Sequence, residues 1–181
     1  MKSEYLKKYK HAPAHLFLDT YPYFITSGTY LKKYYFENDQ KKNMLFKIIM
    51  EILQKNAVEI LAWVILSNHY HLLINLKEPV RLPEIIRKIH SKSSVIINRE
   101  EKIADRKIWH NYWDRCIRDE KDYYSKLNYI HYNPVKHNYA KEPSQYDFSS
   151  YKVYLEELGS KRLTKLVTDY PAEKLGFKDD Y

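Results

Sequence analysis

The 181-residue chain carries 31 lysines and arginines against 23 aspartates and glutamates, a formal charge of +8. That length suits one domain with an appendage and argues against two independent enzymatic domains, and the basic balance favours a polyanionic partner, nucleic acid ahead of an acidic membrane. The single cysteine, Cys116, excludes an intrachain disulfide and a cysteine-built zinc site, which fits a reducing cytoplasm. No apolar run serves as a signal peptide or approaches the roughly 20 residues of a membrane span, so a soluble, cytoplasmic protein without a membrane partner is expected. The 19 tyrosines supply rings that pack, or that stack on unpaired bases.

A basic leader over residues 1–20 precedes the first strand signal, YPYFITSGTY from Tyr21 to Tyr30, rich in aromatic and β-branched residues. From Asp39, a candidate N-cap, apolar residues recur at Met44, Leu45, Ile48, Ile49, Ile52 and Leu53, the spacing of an amphipathic helix. Val58 to Leu66 is almost continuously apolar and of strand length, and Ser67-Asn68 makes a short turn. The next strand, His69 to Leu76, alternates: Tyr70, Leu72, Ile74 and Leu76 share one face, and His69, His71, Leu73 and Asn75 the other.

Pro83 stands at the start of a second helix through Ile85, Ile86, Ile89 and Ile97, and Trp109 to Ile117 reads as a fourth strand of imperfect alternation. The order β-α-β-β-α-β predicts an α+β, ferredoxin-like antiparallel sheet with both helices on one face and the other face free for a site. A third helix is expected from Asp119, which with Asp122 resembles a capping box, to Asn133, where Pro134 ends it. Ser149 to Leu158 suggests a further short helix stopped by Gly159, and the last twenty or so residues read as a polar extension. The expected division is one domain over 1–181, with a core at about 21–151 and a C-terminal extension over 152–181.

Two histidines two apart on a strand project side by side, so His69 and His71 are candidates to chelate one divalent ion; alone, His-x-His is a weak signal that more often marks two hydrogen-bonded structural histidines. On the third helix Asp122, Ser125, Tyr129 and Asn133 lie nearly opposite Tyr123, Leu127, Ile130 and Pro134, which puts Tyr129 on the polar face with Asn133 one turn on. The periodicity does not separate Tyr129 from Tyr132, and a surface aromatic followed by a capping asparagine reads equally well.

WVILSNHYHLLI at Trp63–Ile74, YIHYNPVKHNY at Tyr129–Tyr139 and YDFSSY at Tyr146–Tyr151, in that order, give the chain a specific likeness. It resembles the single-tyrosine HUH transposases of the IS200-like kind, and within them the REP-associated tyrosine transposases. The resemblance spans Tyr21 to Tyr151 and implies that His69 and His71 are the paired metal ligands, Tyr129 the nucleophile and Asn133 a third metal contact. It implies a Mg²⁺ or Mn²⁺ cofactor, a 5′-phosphotyrosine intermediate, and cleavage and rejoining of single-stranded DNA beside a hairpin, by a monomer or by a homodimer sharing its sites. Arg115, Arg118 and Lys136 are placed to hold the DNA backbone. Two departures stand out: His131 follows the Tyr-Ile pair, and Asn138 occupies a place where glycine is common. The alternative expectations are a non-catalytic single-stranded nucleic-acid binder on the same sheet, which would lack the RRM aromatic motif, and a metal-dependent hydrolase using water.

Overall fold

A computed structural model describes residues 21–171; the basic leader and the end of the C-terminal extension lie outside the described residues. Strand β1 (Tyr21–Thr29) is followed by helix α1 (Asp39–Lys55), strands β2 (Glu59–Ile65) and β3 (His69–Leu76), helix α2 (Leu82–Glu100), strand β4 (Trp109–Cys116), and helices α3 (Glu120–Lys136), α4 (Tyr151–Leu158) and α5 (Ser160–Asp169). The strands form one antiparallel sheet in the order β2-β3-β1-β4, the ferredoxin-like arrangement expected from the element order.

Helix α1 starts one residue earlier than its charge pattern suggests. The Asn38 side chain, not Asp39, accepts the Lys41 N–H, and Asp39 sits in the first turn, where its charge complements the helix dipole. On one sheet face Leu45, Ile48, Ile49 and Leu53 of α1 and Ile85, Ile86 and Ile89 of α2 pack against Ile25, Tyr70, Leu72 and Ile74. Each such side chain contributes about 1.5–3 kcal/mol by burial.

The opposite face is not free. Phe24, Leu73 and Val64 make it apolar, and α3 covers it over β2 and β3, with Tyr123, Leu127 and Ile130 meeting those side chains and α4 and α5 stacked outside. The polar side of α3 is therefore buried as well: Asp122, Ser125, Tyr129 and Asn133 are all enclosed. The β4 half of this face stays open, and there Trp113 is 59% exposed. As an edge strand beside a register shift between Ser27 and Thr29, β4 has the irregular alternation that its sequence shows.

Asp119 caps α3 by accepting the Asp122 N–H, whereas Asp122 turns to Arg115 instead of closing a reciprocal box. Pro134 does not end the helix, which continues to Lys136; so near the C-terminus the missing N–H leaves only the Ile130 carbonyl without its helical donor. The stop comes later. The Asn138 N–H donates to the Val135 carbonyl at 3.0 Å and the Tyr139 N–H to the Pro134 carbonyl at 2.8 Å, a Schellman pair with Asn138 at φ 59°. The position that departs from glycine is thus left-handed, and asparagine is the side chain that tolerates it best.

The YDFSSY segment seals the outer edge of β2. The Ile65 N–H donates to the Phe148 carbonyl, the Ser150 N–H to the Trp63 carbonyl, and the Tyr146 hydroxyl to the Ile65 carbonyl. Beyond Gly159 the expected polar extension is helix α5, held by buried Leu163 and by the Asn128 amide donating to the carbonyls of Leu166 and Tyr170. Among the described residues no helix is long and apolar enough to cross a membrane.

Candidate catalytic centre

Strand β3 sends His69 and His71 to the face under α3, and both are nearly inaccessible, at 3% and 1% exposure. Each ring is held at its outer nitrogen. His69 Nδ1 donates to Asn68 Oδ1 at 2.7 Å, and His71 Nδ1 lies 2.8 Å from Thr26 Oγ1, its register partner on β1. Holding Nδ1 in this way turns both Nε2 atoms inward.

They meet the Asn133 amide, brought over the sheet by α3. His69 Nε2 is 3.1 Å from Asn133 Oδ1, and the Asn133 nitrogen is 3.3 Å from His71 Nε2, which accepts from it. With its proton on Nδ1, His69 turns a lone pair toward the asparagine oxygen, so two acceptors face each other. A cation between them would be held by both lone pairs. Among the described residues no three His, Cys, Asp or Glu side chains are grouped to hold a metal; the two imidazoles and the Asn133 amide meet here, and the His137 ring packs edge to face against His69 at 4.9 Å.

His71 is held well below the usual imidazole range, first by burial and then by the neighbouring His69, His137, Lys126 and Lys136. It is therefore a neutral imidazole at physiological pH. Phe24 stacks on the same ring at 5.5 Å and 13° between planes, which fixes it from the side.

One turn before Asn133, Tyr129 meets His71 edge to face with ring centroids 5.1 Å apart. Tyr132 instead neighbours Tyr151, and Tyr129 is the tyrosine of the two whose ring meets His71 among the described contacts. His131 faces away too. Its Nε2 lies 3.1 Å from the Ser150 hydroxyl, and its ring packs on Tyr151 and Tyr154, a structural role that its place beside Tyr-Ile did not announce.

Of the basic candidates, Lys136 comes nearest: its ammonium lies 5.1 Å from the Tyr129 ring centroid, and the residue is exposed. Arg115 shares the sheet face through its pairing with Phe24 and donates to Asp122 at 3.3 Å, with its side chain 58% exposed. Arg118 is exposed in the β4–α3 turn, and the structure does not bring it to the histidines. A further cation has no signal in the sequence. Lys126 is 1% exposed, three residues before Tyr129, with its ammonium 4.6 Å from the Phe24 ring. Lysines at helix spacing are ordinary surface residues, and only the sheet beneath α3 makes this one internal.

Comparison with known proteins places the chain in a family. Residues 17–133 match the model of the IS200-like transposases. The REP-associated tyrosine transposase of Escherichia coli (strain K12) is 30% identical over 137 residues, 71% of this chain and 79% of that protein. A Haemophilus influenzae protein provisionally given the same name is 30% identical over 127 residues, 61% of this chain and 72% of its own. The solved structure of a REP-associated tyrosine transposase bound to a REP hairpin superposes with a TM-score of 0.64 at 25% identity, covering 81% of this chain and 86% of that one. This chain belongs to the IS200-like transposases, with the REP-associated tyrosine transposases as its kin, and is a DNA-binding recombination enzyme.

Proposed function

We propose that this transposase cuts and rejoins single-stranded DNA through a covalent bond to Tyr129, at a site beside a hairpin. The observation that carries the reading is the convergence of His69 Nε2, His71 Nε2 and the Asn133 amide directly beside the Tyr129 ring. A hairpin substrate is supported by the related transposase solved with a REP hairpin.

His69, His71 and Asn133 would hold a Mg²⁺ or Mn²⁺ ion. The 3.1 Å between His69 Nε2 and Asn133 Oδ1 suits neighbouring donors of an octahedral ion with bonds of about 2.1 Å. When bound, such an ion polarises the attacked phosphate and offsets its negative charge. The protein does the rest. The Tyr129 hydroxyl gives its proton to water as its oxygen attacks phosphorus; the bond from phosphorus to O3′ breaks, and the 3′ oxygen leaves with the electron pair and takes up a proton. The products are a 5′-phosphotyrosine and a free 3′-hydroxyl.

A phenol loses its proton only near pH ~10 in water, so the positive surroundings of Tyr129 matter. Lys126 and Lys136 lie on either side of it along α3 and favour both the phenolate and the approaching phosphate. Because the phosphotyrosine keeps the phosphodiester's energy, a second 3′-hydroxyl reverses the attack and joins a new strand without ATP.

The test is to incubate the protein with labelled hairpin-bearing single strands and Mn²⁺ or Mg²⁺, then look for an adduct that survives denaturation. The adduct should form with the intact protein and disappear in both Tyr129→Phe and His69→Ala. Cleavage that persists in Tyr129→Phe would assign the attack to water, and binding without cleavage would leave a nucleic-acid binder.

A further inference from the structure

Pairing across the sheet sets one row of side chains: Val64 on β2, His71 on β3, Thr26 on β1 and Trp113 on β4. Directly paired residues of antiparallel strands face the same way, so Trp113 stands on the face that carries the histidines, two strands from His71. At about 4.8 Å per strand its Cα is roughly 10 Å from that of His71. Helix α3 packs on the β2–β3 half of the face, and among the described residues no element is packed over Trp113 on the β4 half, which is exposed.

On this open shelf Trp113 is 59% exposed, and Arg115, two residues along the same face, has its side chain 58% exposed. An exposed tryptophan leaves a large apolar ring in water, which a stacking partner would cover. Here an indole and a guanidinium lie side by side at the edge of a buried centre that attacks DNA. That pairing suits one kind of occupant. An unpaired base offers a π-face to the indole, and its phosphate a charge to the arginine.

We propose that Trp113 is the stacking platform for an unpaired base of the DNA strand led into the Tyr129 centre, with Arg115 holding the adjoining phosphate. The proposal rests on the strand-transfer reading for its occupant. Entry from the β4 side is the route the roof leaves open, and a base fixed on the indole would set which phosphate lies before Tyr129. Trp113 is thus a positioning residue that contributes to the choice of cleavage point.

The test uses Tyr129→Phe protein, which holds the strand without turning it over, with Trp113 intact, Trp113→Ala or Trp113→Phe. The probes are hairpin-bearing single strands with one abasic site stepped along the unpaired arm. On the control strand, which has every base in place, Trp113→Ala should weaken binding about tenfold and Trp113→Phe only about twofold, in keeping with the worth of one base stack. At one position the abasic site should cost the intact protein about the same tenfold and cost Trp113→Ala nothing further. Equal abasic penalties at every position in both proteins, or full affinity in Trp113→Ala, would overturn the proposal. Failure of the strand-transfer reading is seen separately, as the absence of any adduct with Tyr129-bearing protein.

Discussion

Thr26 Oγ1 sits 2.8 Å from His71 Nδ1, across the β1–β3 pairing, and so holds from the neighbouring strand a ring whose other nitrogen faces the Asn133 amide. Outer partners of this kind orient a metal-binding imidazole and set which nitrogen carries the proton. Thr26→Val keeps the shape and removes the hydroxyl. Metal affinity, followed by calorimetric titration with Mn²⁺, and adduct formation should each fall about 10- to 100-fold. Thr26→Ser, which restores the oxygen, should recover most of both. Unchanged Mn²⁺ affinity in Thr26→Val would mean that the hydroxyl does not orient the ligand.

Two other buried histidines set the acid sensitivity of the fold. Burial lowers both His90 and His131 from 6.5 to about 3. A group whose folded pKa is depressed is neutral in the native state, so below pH 6.5 the unfolded chain binds the extra proton and stability is lost toward pH 3. At pH 5 the loss is about 2 kcal/mol for each histidine. Urea midpoints should therefore drop between pH 7.5 and pH 5, and His131→Gln, which does not titrate there, should flatten the drop. An identical pH slope in His131→Gln would contradict the assignment.

Asn138, in the turn that ends α3, offers a stability test of its own. Its φ of 59° is left-handed, so Asn138→Gly should hold or raise the stability, whereas Asn138→Val should cost about 1–2 kcal/mol through the strained backbone. Thermal melts of the two variants decide it. A valine variant as stable as the native protein would mean that the turn does not need the left-handed conformation.

Much of this was legible along the chain, and the parts that were not share a cause. The alternation of His69 to Leu76 gave both the strand bounds and its two faces, because a period of two is a local property. The resemblance placed Tyr129 and Asn133, which lie beside the histidines. Burial of the polar side of α3 was not visible, since a helix wheel shows which residues share a side but not that a second layer covers each side. Thr26, Phe24, Lys126 and Trp113 carry no local signal, because only cross-strand register and helix docking bring them to the histidine face. Helix α5 hid among lysines, since few apolar residues such as Leu163 mark its inner side.

The lysine and arginine candidates differ in what their loss should do. If exposed Lys136 and Arg118 hold the DNA backbone as proposed, Lys136→Gln and Arg118→Gln should weaken binding of all single strands alike and lower the slope of log affinity against log salt by about 0.7 for each phosphate no longer neutralised. A salt series by fluorescence anisotropy measures this. Buried Lys126 beside Phe24 should behave differently: Lys126→Met should slow adduct formation about tenfold, with binding little changed, because its charge serves the attacked phosphate. A slope unchanged in Lys136→Gln, or adduct formation at the native rate in Lys126→Met, would remove that residue from the account.

The central claim is that Tyr129 is the residue that becomes bonded to DNA, and mapping the adduct tests it directly. The covalent complex is digested with nuclease and protease, and the peptide that retains a nucleotide is sequenced by mass spectrometry. The account predicts a 5′-phosphonucleotide on Tyr129, within the Asn128 to Lys136 stretch, with Tyr132 unmodified. A nucleotide on Tyr132, or on any residue away from the His69–His71 pair, would contradict it.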